Sequence, residues 1–343
     1  MSPDFKTIID RIARGESLSQ QDARNAFNYM MSGDATGAQI GAFLMGLRLR
    51  GETIDEIIGA TQAVRAKAHT IKAPADAIDP CGTGGDGSHT YNISTAAAIV
   101  LAACGVTVAK HGNRAISSKS GSADVLETLG INIDADMENV ERSIAEIGIG
   151  FMMATRHHSA MRHVGPSRTS LGTRTIFNLL GPLANPAKTK FQVIGVFDKK
   201  WTAPLAEVLG RLGSERVWVV HGADGLDELS ISGPSYVSEF YQGKVTSFEV
   251  NPEEVGLSLS PISEIQGGDS EYNAAALRRM LAGEKNAFRD ITLLNCAASL
   301  VVVGKAPDLA AGVKLAAEAI DSGAATAKLD QWVMLSNEET VDE

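Results

Sequence analysis

The chain has 343 residues, 44 % hydrophobic and 21 % charged, enough for one large or two modest globular cores. A formal net charge of -10 argues against a nucleic-acid footprint, which needs a basic face, but leaves room for a local cationic pocket. Three scattered cysteines (Cys81, Cys104, Cys296), no apolar leader in residues 1–6 and no bilayer-length apolar run imply a cytoplasmic protein that does not enter a membrane.

Residues 1–70 read as helices. Ser19, Thr36 and Thr53 are N-cap candidates, and Thr53 with Glu56 makes a capping box. The small residues of 38–46 allow close helix approach, either within the chain or across a helical dimer interface. From residue 75 the rhythm changes. Short apolar strands at 77–80, 106–109, 148–153, 191–197 and 216–221 alternate with helices at 93–104, 123–129, 137–147 and 203–212. That alternation predicts a mainly parallel sheet flanked by helices, so the fold class is α/β with a small all-helical domain beside a larger α/β domain. Residues 235–250 predict an antiparallel addition, and 270–335 read as helical. Residues 159–187 are helical but rich in Arg, Pro and Gly, and can pack back onto the N-terminal helices. The domains expected are therefore 1–72, with 159–187 against it, and 73–158 with 188–343.

Two loops carry the chemistry. Gly82-Thr83-Gly84-Gly85-Asp86 leaves a strand, and Asn92-Ile93-Ser94-Thr95 opens the next helix. Glycines bring backbone N–H groups close to phosphate oxygens, and a helix start favours anions. The run lacks the dinucleotide fingerprint and the Lys-Ser/Thr ending of a P-loop. Lys110 directly follows the expected strand 106–109, so its ammonium should lie at the carboxyl end, where open α/β sheets bind ligands. His111, Asn113, Arg114 and the serines around Lys119 add donors. Asp227-Glu228, between two strands, is a hard-oxygen pair suited to Mg²⁺ beside a phosphate. Arg156, Arg162, Arg168 and Arg174 recur every six residues. One can clamp a carboxylate, and spacing alone does not choose which.

Taken together, 79–86, 92–95, 110–127, 162–166, 172–186 and Asp227-Glu228 resemble the anthranilate phosphoribosyltransferase family, in order and spacing, from about residue 5 to 335. The resemblance implies a cleft between the two domains and a homodimer through the helical one. It implies phosphoribosyl pyrophosphate at Gly82, Gly85, Asp86, Thr90, Asn92, Ser94, Thr95, Lys110, His111, Gly112, Asn113, Arg114, Ala115, Ile116, Ser117, Ser118 and Ser122. Mg²⁺ would sit on Ser94, Asp227 and Glu228, and anthranilate at Asn113 and Arg168 with Gly82 beside it. Lys110 and Arg168 would act by position and charge, with no covalent nucleophile. Small polar residues at 166–170, and Thr155-Arg156 ahead of His157-His158, depart from the common pattern along the acceptor side. Two other readings share the architecture. A pyrimidine nucleoside phosphorylase would not need the Asp227-Glu228 pair, and a non-catalytic nucleic-acid-binding relative would need a basic groove.

Overall fold

The computed structural model describes residues 4–115 and 119–338. Four helices open the chain: α1 Phe5–Ala13, α2 Gln20–Met31, α3 Gly37–Arg50 and α4 Ile54–Ala66. Side chains set their starts. Ser19 Oγ accepts from the Asp22 amide at 3.1 Å. Thr36 with Gln39, and Thr53 with Glu56, form reciprocal capping boxes. Glu56 is fully buried, yet its carboxylate accepts from the Leu18 amide at 2.8 Å and the Thr53 amide at 2.9 Å and pairs with Arg50. Such compensation is what a carboxylate out of water requires. It ties α4 to the start of α2 and the end of α3.

The α/β part continues with β1 Ile78–Gly82, α5 Ile93–Ala103, β2 Val108–Gly112, α6 Ser122–Thr128, α7 Met137–Ile147 and β3 Ile149–Met153. Then come α8 Ala154–His157, a 3-10 turn at Ser159–His163, α9 Gly165–Leu171 and α10 Phe177–Leu183. The chain returns to the sheet through β4 Phe191–Gly195, α11 Thr202–Arg211 and β5 Arg216–Gly222. A hairpin, β6 Ser235–Tyr241 and β7 Lys244–Val250, precedes α12 Ser270–Leu281, α13 Ala287–Val302, α14 Leu309–Asp321 and α15 Ala324–Ser336.

The seven strands lie in the order β3-β2-β1-β4-β5-β6-β7. The first five are parallel, and the two hairpin strands are antiparallel. The order reverses direction at β1, between β2 and β4, which opens a crevice at the carboxyl ends of the strands. Strands β1 and β2 extend two and three residues further than hydropathy indicates. Lys110 is a member of β2, opposite Phe151 of β3, rather than the residue after it. A lysine survives there, 1 % exposed, because Nζ donates to the Pro80 carbonyl at 2.6 Å and to Ser94 Oγ at 3.2 Å.

The sheet separates two apolar clusters. On one face Val193, Trp218 and Val220 meet α5, α13 and the C-terminal helices. On the other, Ile194, Val217 and Val219 share a cluster with α1–α4, α11 and residues of 164–184. Phe27 packs edge-on against both Phe43 and Phe177, at 5.6 and 5.4 Å between ring centroids.

Candidate active site

The glycine-rich loop leaves β1 with Gly84, Gly85 and Gly87 at φ of 67°, 73° and 83°, a backbone that side chains with a Cβ resist. The Gly84 amide donates to Asp227 Oδ2 at 2.6 Å. The Asp227 amide approaches Asp86 Oδ2 at 3.4 Å, and Asp86 Oδ1 accepts from Ser88 N at 3.0 Å. A Cβ on Gly195 of β4 would overlap the Asp227 carbonyl, so the turn after β5 lies directly on the neighbouring strand end. This close fit brings Gly82, Asp86 and Asp227 together although 227 lies far along the chain.

Glu228 receives the Ser94 amide and hydroxyl at the start of α5, within the field of Lys110. Burial raises its pKa to about 7; Lys110 opposes the shift and Asp86 adds to it. Burial, then the charges of Asp86 and Glu228, push Asp227 well above the usual carboxylate range. Below the pair, Asp79 is buried, and burial raises its pKa while Lys110 holds it down. Asp79 accepts from the His111 amide at 3.1 Å and from Asn185 Nδ2 at 2.7 Å.

Among the described residues no three His, Cys, Asp or Glu side chains form a metal cluster. Asp227 and Glu228 instead make a half-buried two-carboxylate edge whose raised pKa values mark oxygens that a bound cation would stabilise in the ionised form. Mg²⁺ fits such an edge, since it binds through one or two carboxylates and fills its octahedron with waters and phosphate oxygens.

The second loop leaves β2. Asn113 O accepts from Ser122 Oγ and from the Ala123 amide, both at 3.2 Å. Asp124 Oδ2 accepts from the Ala115 amide at 2.9 Å and the Gly121 amide at 2.8 Å, closing the loop into a ring. Arg114 turns outward and pairs with Glu127 at 2.8 Å and Asp124 at 3.1 Å, so its side chain serves the ring rather than the cleft. Ile116, Ser117 and Ser118 lie outside the described residues. Asn92 Nδ2 donates to the Ser120 carbonyl at 3.3 Å and joins the second loop to α5. Thr90 bridges Gln266, and Thr95 is buried with its hydroxyl unpartnered among the described residues.

Beside the loops opens a cavity of about 520 Å³, lined by Gly82, His111, Gly112 and Asn113 from the sheet side and by Arg168 and Phe177 from α9 and α10. Arg168 stacks over Phe177 at 5.0 Å and has no ion-pair partner among the described residues; burial lowers its pKa. His111 and His158 face each other across the cavity wall at 5.1 Å. Burial lowers their pKa values to about 3 and about 4, so both are neutral.

Comparisons with known proteins identify the family of the chain. The profile described as "Glycosyl transferase family, a/b domain" matches residues 74–326, and "Glycosyl transferase family, helical bundle domain" matches 6–68. The anthranilate phosphoribosyltransferase of Rhodospirillum rubrum is 61 % identical over 97 % of this chain and 96 % of its own length. The chain belongs to the anthranilate phosphoribosyltransferases. The Thermus thermophilus member of that family superposes with a TM-score of 0.91 at 44 % identity, covering 96 % of this chain and 99 % of that one. The Saccharomyces cerevisiae member, solved in complex with PRPP and Mg, gives a TM-score of 0.88 at 28 % identity over 97 % of each chain.

Three residues around the site of this anthranilate phosphoribosyltransferase-family chain have contacts that the sequence reading does not assign. Arg174 hydrogen-bonds to the Gly85 carbonyl and lies over Phe197 at 4.4 Å, while Arg48 of α3 holds the Thr173 hydroxyl and the Arg174 carbonyl. Arg174 is one of the four evenly spaced arginines, and spacing does not separate it from Arg156, which donates to the Ala135 carbonyl at 2.6 Å. Asn273, on α12, contacts Asn92 from the far side, with no local motif to announce it.

Proposed function

We propose that this chain transfers the 5-phosphoribosyl group of phosphoribosyl pyrophosphate to the amine of anthranilate, releasing pyrophosphate, a step of tryptophan synthesis. The observation that carries the reading is one strand end, Gly82, shared by two environments. On one side are the glycine loop, the start of α5 and the Asp227-Glu228 pair. On the other is the cavity with Arg168, which has no ion-pair partner among the described residues. An electrophile rich in phosphate and a flat aromatic carboxylate would thus meet at a single point, and positioning of that kind accounts for much of a transfer rate.

The donor is assigned to Gly82, Gly85, Asp86, Thr90, Asn92, Ser94, Thr95, Ser122 and the stretch from Lys110 through Ser118. Backbone amides of the glycine loop and of the first turn of α5 would bind phosphate oxygens. Asp227, Glu228 and Ser94 would hold Mg²⁺, which supplies charge compensation to a departing pyrophosphate. Lys110, locked on Ser94 and Pro80, contributes a fixed buried charge beneath that edge. Arg168 and Asn113 would orient the anthranilate carboxylate, Arg168 through a planar guanidinium already braced on Phe177. An aromatic amine is neutral at pH 7 and presents its lone pair without a base, so no nucleophile or strong base is assigned.

Residues 1–72 with 159–187 would form one domain and 73–158 with 188–343 the other. Along α3, Ala38, Ala42, Met45 and Leu49 form one stripe, with Leu49 82 % exposed. That stripe supports a homodimer through the helical domain. No helix is long and apolar enough to cross a membrane among the described residues, and a cytoplasmic location fits the free thiols.

The test follows anthranilate fluorescence as phosphoribosyl pyrophosphate is added, with and without Mg²⁺. The signal should fall only when donor and metal are both present, and Asp227→Asn should lower turnover by about a hundredfold. A metal-independent reaction would remove Asp227 and Glu228 from their role.

A further inference from the structure

We infer that Asn273 is a positioning residue for the donor, setting the spacing of the two phosphate-facing loops through Asn92. Asn273 is 2 % exposed on α12. Its Oδ1 accepts from the Gly268 amide at 2.8 Å, and its Nδ2 donates to Asn92 Oδ1 at 3.0 Å. Asn92 Nδ2 in turn donates to the Ser120 carbonyl at 3.3 Å. The relay has one polarity, because a backbone donor fixes one end and a backbone acceptor fixes the other. Each amide can therefore face only one way. The same segment pins the exit of the glycine-rich loop. The Gly267 amide donates to the His89 carbonyl at 2.8 Å, and the Tyr91 amide to the Ile265 carbonyl at 3.0 Å. A Cβ on Gly267 would meet the Thr90 carbonyl at 2.7 Å and Asn273 Oδ1 at 2.8 Å, so the packing has no slack. Asn273 thus joins residues 89–92 to Ser120 without reaching the cleft itself.

The inference rests on the donor assignment of Asn92 above, and two readouts keep the two claims apart. Asn273→Asp keeps the shape but offers Asn92 an acceptor. The Asn92 amide must then turn, and its oxygen faces the Ser120 carbonyl. Amide hydrogen exchange at Ser120 and Gly121 should quicken in this variant, whatever the substrate. The KM for phosphoribosyl pyrophosphate should rise roughly five- to tenfold, with the anthranilate KM changed less than about twofold. Asn273→Ala, which removes the donor without adding charge, should shift both readouts the same way and serves if the Asp variant does not fold. Unchanged exchange in a folded variant would overturn the relay. Faster exchange with equal changes in both KM values, or none, would reduce Asn273 to a structural role.

Discussion

Arg168 holds a cation with no carboxylate beside it among the described residues, half-buried against an aromatic ring. A desolvated guanidinium in that state has unspent hydrogen-bonding capacity, and a planar carboxylate satisfies it with two parallel bonds. Arg168→Ala should therefore raise the anthranilate KM by about a hundredfold, a charge-assisted pair being worth about 3 kcal/mol, and leave the donor KM nearly unchanged. Steady-state kinetics with each substrate varied in turn decides it, and equal changes in both would move Arg168 out of the acceptor site. Lys110 teaches the opposite lesson. Its charge is as prominent in the sequence, but the structure buries it on the Pro80 carbonyl and Ser94 Oγ. Hydropathy ends a strand at a lysine; only the partners contributed by β1 and α5 show why this one continues.

Among elements, the parallel strands deliver the site and the turns after them shape it. The turn after β5 lies so close to β4 that Gly195 has no room for a methyl group. Gly195→Ala should cost about 2 kcal/mol or more, from overpacking, and shift Asp227 against Gly84. The thermal midpoint should fall, and Mg²⁺ titration of the activity should move to higher concentration. An unchanged titration would show that the β5 turn does not set the metal edge. How far such elements could be read in advance follows from how local their causes are. Ser19, Thr36 and Thr53 stand next to the amides they cap, so the N-terminal helices are legible from the sequence. The alternation of strands and helices is equally local. Asn185, which holds Asp79 from 106 residues away, and Asn273, which holds Asn92 from 181 residues away, are not. Their roles arise from the tertiary meeting of two segments, and neither segment carries a mark of it.

Over the whole molecule, His111 and His158 stand where the sheet meets α8–α10, and both are kept neutral by burial. An unfolded histidine takes up a proton near pH 6.5, whereas these do so near 3 and 4. As pH falls below 6.5 the unfolded chain gains protons that the folded one refuses, and stability drops until about pH 4 through His158 and about pH 3 through His111. The slope is up to about 1.4 kcal/mol per pH unit for each histidine. Thermal midpoints between pH 8 and 5 should fall accordingly, and more gently in His158→Gln; identical slopes would discount the histidine. Sedimentation of Leu49→Asp should give a lighter species than the parent chain if the α3 stripe joins two copies, and an unchanged mass would place the interface elsewhere. One further consequence comes from the sheet between the two apolar clusters. Val217 and Val219 serve one cluster and Trp218 and Val220 the other, so neighbours along a single strand belong to different interiors. Deleting one residue inside β5 would exchange the contents of both at once. The strands thus behave like a reading frame: changes of chain length are tolerable only in the connections between them, which is also where the loops that would choose the acceptor lie.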